Sequence, residues 1–89
     1  MAVIIKITGK TENIEPADGK VFTLDELQNA VGGYIELVPI NSGEYEGKLM
    51  VVDEEGRLKA DAKLNENASR IAGQIIVGQV IIIDKEQID

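Results

Sequence analysis

The 89-residue chain contains no cysteine and no histidine. Without cysteine it has no disulfide, no thiolate metal site and no cysteine nucleophile. Without histidine it lacks the usual general base near neutral pH and the commonest protein ligand of metal ions. We therefore expect a protein that is not an enzyme, with no catalytic residue, no cofactor and no bound metal.

Aromatic residues are scarce: the chain has one Phe, two Tyr and no Trp, although 44% of its residues are hydrophobic. The core must therefore be built from aliphatic side chains. A chain of this length has room for one small core, so residues 1–89 are expected to form a single domain. So small a domain buries a limited share of its surface, which favours completion of the core in a homo-oligomer.

Basic residues are outnumbered, with nine Lys and Arg against 16 Asp and Glu, and the net charge is −7. This balance disfavours direct binding to DNA or RNA, which requires clustered cations along the phosphates. It leaves open the opposite role, a protein that imitates DNA. No stretch approaches the roughly 20 apolar residues of a membrane-spanning helix, and the first residues do not form a secretory signal. We expect a soluble, cytoplasmic protein with no membrane contact.

The first 20 residues are predicted to form a strand and a polar loop. Residues 2–8 are mostly β-branched, with Lys6 the only charge, which is typical of a strand. Residues 9–20 are predicted to form a polar connection, with a type I turn in which Pro16 takes the second position.

Residues 23–30 carry the clearest helix signals in the chain. Thr23 is a typical N-cap, and Glu26, three residues later, completes a capping box. Gly32 and Gly33 are predicted to end the helix by supplying the positive φ of its C-cap.

The middle of the chain is predicted to form an antiparallel hairpin. One strand covers residues 34–38, and Pro39 ends it or marks it as an edge strand. The other covers residues 48–53, after which residues 54–58 reverse the chain tightly with Gly56 in the left-handed conformation.

The last third of the chain is predicted to form a second, shorter helix and a strand. The helix covers residues 64–72, with Asn65 as its N-cap. Residues 74–84 form an apolar run that is either the central strand of the sheet or part of a homo-oligomer interface, and residues 85–89 are predicted to be a charged tail. The expected fold is α+β: a mainly antiparallel sheet of four or five strands, one principal helix and a second short helix.

Four segments of the chain resemble a known family. They are FTLDELQNAVGGYIE, VVDEEG, LNENAS and GQIIVGQVIIID, and they lie within residues 19–84. In these segments the chain resembles a small-domain family of phages, plasmids and integrative elements. That family is catalogued as a domain of unknown function and is similar to the YodL-type proteins found beside antirestriction genes. The resemblance implies an accessory protein that acts inside a bacterial host cell, with counter-defence as one purpose, and it brings no catalytic motif.

Four residues are candidate contacts with a partner or ligand: Tyr34, Glu36, Asn65 and Asn67. Tyr34 and Glu36 lie two apart on a predicted strand, so they face outward together if their neighbours face the helix. An outward tyrosine suits an interface anchor, and the alternative is plain decoration of the strand surface. The two asparagine amides could recognise a base or sugar edge, and the alternative is a role in capping the second helix.

Acidic residues suggest two further sites. Asp53, Glu54 and Glu55 could together hold Mg²⁺ or Ca²⁺, but their spacing is not that of an EF-hand and a solvated turn explains them. A face that imitates DNA would be formed by four glutamates: Glu44, Glu46, Glu54 and Glu55.

The sequence favours a non-enzymatic accessory protein of a phage or mobile genetic element that binds a host protein or a small signalling ligand. The alternative is an acidic DNA mimic that inhibits a host DNA-binding or restriction protein.

Overall fold

The computed structural model describes residues 1–88, which form one sheet with an α-helix packed on each face. The strands are β1 (Ala2–Ile5), β2 (Thr11–Asn13), β3 (Ile35–Pro39), β4 (Leu49–Asp53) and β5 (Val80–Ile83). The helices are α1 (Leu24–Val31) and α2 (Glu66–Ala72), and short 3-10 helices cover Gly56–Leu58 and Lys85–Gln87. The strand order is β2-β1-β5-β4-β3, with every neighbouring pair antiparallel. The predicted α+β fold is confirmed.

β5 lies at the centre of the sheet, between β1 and β4, and its four side chains are fully buried. Ile81 and Ile83 pack in the cluster beneath α1, whereas Val80 and Ile82 pack in the cluster beneath α2. The prediction of a central strand is therefore confirmed, although the strand begins only at Val80. Because the chain's own helices cover both faces of β5, this part of the apolar run needs no oligomer interface to explain it, whereas Ile75 in the same run is 60% exposed.

The N-terminus of α1 is capped as its sequence predicts. The Thr23 hydroxyl accepts a hydrogen bond from the Glu26 amide at 3.2 Å, and the Glu26 carboxylate accepts one from the Thr23 amide at 2.9 Å. The same carboxylate accepts a third bond, at 3.0 Å, from the amide of Ala17 in the preceding loop. The capping box therefore fixes the loop as well as the helix.

Two predictions about glycine are wrong. Gly32 has the predicted positive φ of 88° at the C-cap of α1, but Gly33 does not share it. At Gly33 the requirement is space, because an added Cβ would lie 3.0 Å from the Asp53 carboxylate. Gly56 also lacks a positive φ, and it is buried at the start of a 3-10 helix, where an added Cβ would lie 2.8 Å from Cγ2 of Val77.

The N-terminal loop contains a strand that the sequence did not indicate. β2 occupies Thr11–Asn13 and pairs with β1 at the edge of the sheet. Its three residues are all exposed, so it lacks the apolar alternation by which strands are recognised. The following turn is closed by a bond from the Gly19 amide to the Pro16 carbonyl at 3.0 Å, which puts Pro16 in the first position and not in the second.

Residues 85–88 are ordered against the domain and do not form a free tail. The Phe22 amide donates to the Gln87 carbonyl at 2.7 Å, and Phe22 and Ile88 form a parallel bridge. Ile88 packs against the core cluster that contains α1. Residue 89, the last of the predicted tail, lies outside the described residues.

Candidate binding surface

A hollow of about 640 Å³ lies where the C-terminus of α1 meets the start of β3 and the first 3-10 helix. We name it the Tyr34 hollow. The side chains that line it are Gln28, Asn29, Tyr34, Asp53, Glu55, Leu58 and Lys59. Gly32 and Gly33 also line the hollow, and the part that they form carries no side chains.

Two of the three charged groups of the Tyr34 hollow neutralise each other, and the third, Glu55, is exposed. The Lys59 ammonium pairs with the Asp53 carboxylate, whose side chain is only 6% exposed. Lys59 also donates to the Gly32 carbonyl at 2.8 Å, and the other Asp53 oxygen accepts from the Glu55 amide at 3.0 Å. The Lys59 ammonium thus closes the C-terminal end of α1, where the helix dipole favours a cation.

The acidic turn at residues 53–55 does not converge on one point. The Asp53 carboxylate is paired with Lys59, whereas Glu54 and Glu55 are exposed. Within residues 1–88, no three side chains of Asp or Glu are placed to hold a metal ion together.

Two large apolar side chains on the Tyr34 hollow are exposed to solvent. Tyr34 is 66% exposed and Leu58 is 82% exposed. Sequence reasoning selected Tyr34 but missed Leu58. The sequence does indicate Leu58, because it is the only large apolar residue in a short polar turn. A residue in such a turn is expected to be exposed and not to belong to the core.

Tyr34 and Glu36 are both exposed but do not border the same hollow. Ile35 packs in the cluster of α1, whereas Leu37 does not belong to that cluster and is 41% exposed. Glu36 lies on the opposite face of the sheet. There it borders a second hollow of about 400 Å³, together with Val52, Arg57 and Ile75. Tyr34 precedes the first residue of β3, so strand alternation does not fix its side chain. Leu58 borders both hollows and connects them.

Asn65 and Asn67 also have different positions. Asn65 is 1% exposed, and its amide oxygen accepts from the Ala68 amide at 3.0 Å, as the N-cap prediction requires. Its amide nitrogen donates to the carbonyls of Ile5 and Gly78, so no part of it is free for a partner. Asn67 is half-exposed and borders a third hollow with Arg70, which donates to it at 3.1 Å.

The four candidate decoy glutamates lie at the two ends of the β3–β4 hairpin. Glu44 and Glu46 are in the loop between the strands, and Glu54 and Glu55 follow β4. The five residues of β4 separate the pairs by roughly 17 Å, at about 3.3 Å per residue. This quartet therefore forms two small acidic patches and gives the DNA-mimic alternative no continuous face.

No helix among residues 1–88 has the length and apolar character needed to cross a membrane. Comparison with curated proteins and with solved structures gives no match. A family model described as "Domain of unknown function (DUF3846)" matches residues 1–89. This match agrees with the resemblance to a domain of unknown function and extends it to the first strand and loop. The chain therefore belongs to the DUF3846 family of domains of unknown function.

Proposed function

We propose that this protein is a non-enzymatic accessory protein of a phage or mobile genetic element, and that it binds a host protein in the bacterial cytoplasm through the Tyr34 hollow. The observation that carries the proposal is the exposure of Tyr34 and Leu58 on one hollow, at 66% and 82%. Burying a side chain of this size contributes roughly 1.5–3 kcal/mol, so a partner that covers both residues gains substantially.

The chemistry of the hollow supports binding more than catalysis. Two of its three charged groups, Asp53 and Lys59, form an internal ion pair that a partner can cover together, and the third, Glu55, is exposed. Tyrosine is among the residues that most often dominate binding energy at interfaces. A protein partner is favoured over a small signalling ligand because the apolar side chains lie on an open rim and do not enclose a cavity.

The test is capture of host proteins from a lysate on the immobilised full chain, compared among variants. The double variant Tyr34→Ala/Leu58→Ala is expected to lose a partner that the wild type retains. Leu24→Ala is the matched control, because Leu24 is 57% exposed at the opposite end of α1. A partner retained by the double variant, or lost equally in the control, contradicts the proposal.

The same experiment separates binding at the hollow from imitation of DNA. A DNA mimic predicts a partner that is itself a DNA-binding protein and is released by moderate salt. It also predicts loss of that partner when Glu44, Glu46, Glu54 and Glu55 are changed to glutamine, and no loss in the Tyr34→Ala/Leu58→Ala variant.

A further inference from the structure

β3 is an edge strand whose outer side has no partner among residues 1–88. Its inner side pairs with β4 in a register that matches Ile35 with Asp53 and Pro39 with Leu49. The Glu54 amide donates to the Tyr34 carbonyl at 2.8 Å, and the Ile40 amide donates to the Lys48 carbonyl at 3.0 Å. Both bonds belong to the same register, so the even-numbered residues of this segment bond to β4.

The odd-numbered residues of β3 therefore point their backbone groups away from the sheet. Ile35 and Leu37 each offer a free amide and a free carbonyl, and Pro39 offers a carbonyl. Pro39 thus stands where its missing N–H removes no bond to β4, which is the position that sheets tolerate for proline. Leu37 is 41% exposed, so apolar surface accompanies these unpaired groups.

The two edges of the sheet differ in kind. At the β2 edge all three residues are polar and exposed, and Glu12 is paired with Lys6 at 3.6 Å. At the β3 edge Ile35 and Leu37 are apolar, and Tyr34 stands at the end of the strand beside its hollow. Short polar strands resist pairing with other chains, so β3 is the edge suited to receive a strand.

A second copy of this chain fits the β3 edge poorly. Consider the three antiparallel registers that overlap two copies of β3 most fully. One sets Leu37 against Ile35 and brings Glu36 opposite its own copy, which places like charges together. The other two registers place Pro39 opposite a carbonyl that needs an N–H donor, and proline has no N–H to donate.

The charge near β3 favours a basic partner. In an added antiparallel strand, Glu36 would fall in a non-hydrogen-bonded pair, where opposite side chains approach most closely. Glu36 is exposed and makes no ion pair within residues 1–88. Arg57, the cation that borders the same hollow, donates to the Ile75 carbonyl at 2.6 Å. The net charge of −7 adds a long-range attraction for cations.

We propose that an extended segment of another protein adds to β3 as a further strand, with Lys or Arg opposite Glu36 and apolar side chains beside Leu37. Main-chain hydrogen bonds to Ile35 and Leu37 supply affinity, and the alternating side chains supply specificity. This inference rests on the proposed function, because it names the binding mode and the chemistry of the host partner.

The test uses two fluorescent seven-residue peptides, one of alternating valine and lysine and one of alternating valine and glutamate. Binding to the full chain is measured by fluorescence anisotropy. The wild type is expected to prefer the lysine peptide, and Glu36→Lys to shift the preference toward the glutamate peptide about three- to tenfold. Glu44→Lys makes the same change of net charge in the loop between β3 and β4, so it is the matched control and is expected to retain the wild-type preference more closely.

A backbone variant tests the hydrogen bonds directly. Leu37→Pro removes only an outward N–H, so it is expected to abolish peptide binding while the unfolding transition persists. Amide hydrogen exchange covers the case in which this variant does not fold. In the wild type the amides of Ile35 and Leu37 should exchange fast in the free chain and slow down with the lysine peptide.

Three outcomes overturn strand addition: equal effects of Glu36→Lys and Glu44→Lys, amides of Ile35 and Leu37 that are protected in the free chain, or a dimer that Leu37→Pro dissociates. The experiments also separate failure of strand addition from failure of the proposed function. A lysate partner lost in Tyr34→Ala/Leu58→Ala but retained in Leu37→Pro leaves the proposed function standing without strand addition. A partner retained in both variants contradicts both.

Discussion

At the scale of single residues, Asn65 connects three segments that are distant in the chain. Its side chain caps α2, and it also bonds the carbonyl that ends β1 and the carbonyl of Gly78 before β5. Sequence reasoning identified the cap because Asn65 is a favoured N-cap residue and stands just before apolar residues at helical spacing. The bond to Ile5, which spans 60 residues, depends on the finished fold and has no local signal.

Asn65→Ala is expected to lower the free energy of unfolding by about 2–4 kcal/mol, because it removes a helix cap and the side-chain donor to two carbonyls. Asn67→Ala is the matched control on the same helix. Asn67 is half-exposed and its hydrogen bonds face solvent, so a change within about 0.5 kcal/mol is expected. Urea unfolding monitored by circular dichroism measures both. Equal effects of the two variants would show that the buried amide does not stabilise the fold as described.

Gly56→Ala is expected to destabilise the fold by about 1–3 kcal/mol, because the new methyl group would lie 2.8 Å from Cγ2 of Val77. The backbone at Gly56 has no positive φ, so strain of that kind contributes nothing. The cause is checked by a double-mutant cycle with Val77→Ala, which removes the opposing methyl groups. The cost of Gly56→Ala should fall markedly in that background, and an unchanged cost would exclude the steric explanation.

At the scale of elements, the segments that sequence reasoning predicted are those with local signals. α1 and α2 have capping residues at the correct spacing, and the β3–β4 hairpin alternates around a polar loop. β2 was missed because its sequence has no strand pattern. Only its hydrogen-bonded pairing with β1 identifies it as a strand. The 3-10 helix at Lys85–Gln87 was missed because the charged composition of the segment was interpreted as a tail. The Asp84 amide donates to the side-chain oxygen of Gln87 at 3.0 Å, three residues later.

Glu26→Ala is expected to destabilise the fold more than Asp25→Ala, its neighbour in the first turn of α1. Both changes remove one negative charge near the helix dipole, but only Glu26 accepts bonds from Thr23 and Ala17. Those backbone bonds, that to Thr23 first, lower the pKa of Glu26 below the usual glutamate value.

Because that pKa is lower in the folded state, the Glu26 carboxylate stabilises the fold above the unfolded-state value of about 4.3, and this contribution is lost as the pH falls through the folded value. The difference in unfolding free energy between the wild type and Glu26→Ala should therefore shrink below about pH 4. Urea titrations from pH 7 to pH 3 measure it, and a difference that grows in acid would contradict the assignment.

At the scale of the whole molecule, Asp84 connects β1 and β4, the two strands on either side of β5, through ion pairs. Its carboxylate receives the Lys48 ammonium next to β4 and the Met1 amino group next to β1. The hydrogen bond from Lys48, with that from Met1 second, lowers the pKa of Asp84 below the usual aspartate value. The side chain is 27% exposed, so solvent screens part of this interaction.

Asp84→Asn is expected to be less stable than the wild type at pH 7, by an amount that diminishes as the pH falls below about 4. The sign follows from a folded-state pKa that lies below the unfolded value, since protonation in acid removes the ion pairs from the wild type as well. Asp61→Asn removes the same charge from an exposed side chain and is the matched control. Thermal unfolding across this pH range measures all three proteins, and a gap that stays constant in acid would contradict a role for these ion pairs.

The candidate site was harder to predict than the fold. Tyr34 was selected as a tyrosine that could point outward from a strand in a chain with few aromatic residues, and the structure exposes it. Leu58 is visible in the sequence as an apolar residue in a polar turn, but its position beside Tyr34 is not. That position and the ion pair between Lys59 and Asp53 depend on how the 3-10 helix folds back toward α1, which no spacing in the sequence specifies. The unpaired backbone of β3 followed from strand order, and strand order becomes visible only when β5 is placed between β1 and β4.

The position of β5 also determines when this domain can fold during synthesis. Among the strands of residues 1–88, β5 is the last to be made, yet it separates β1 from β4. Until residues 80–83 leave the ribosome, the two halves of the sheet are separate hairpins, which are marginally stable in water. The nascent chain therefore acquires its core in one late step and exposes its aliphatic strands to chaperones and proteases until that step.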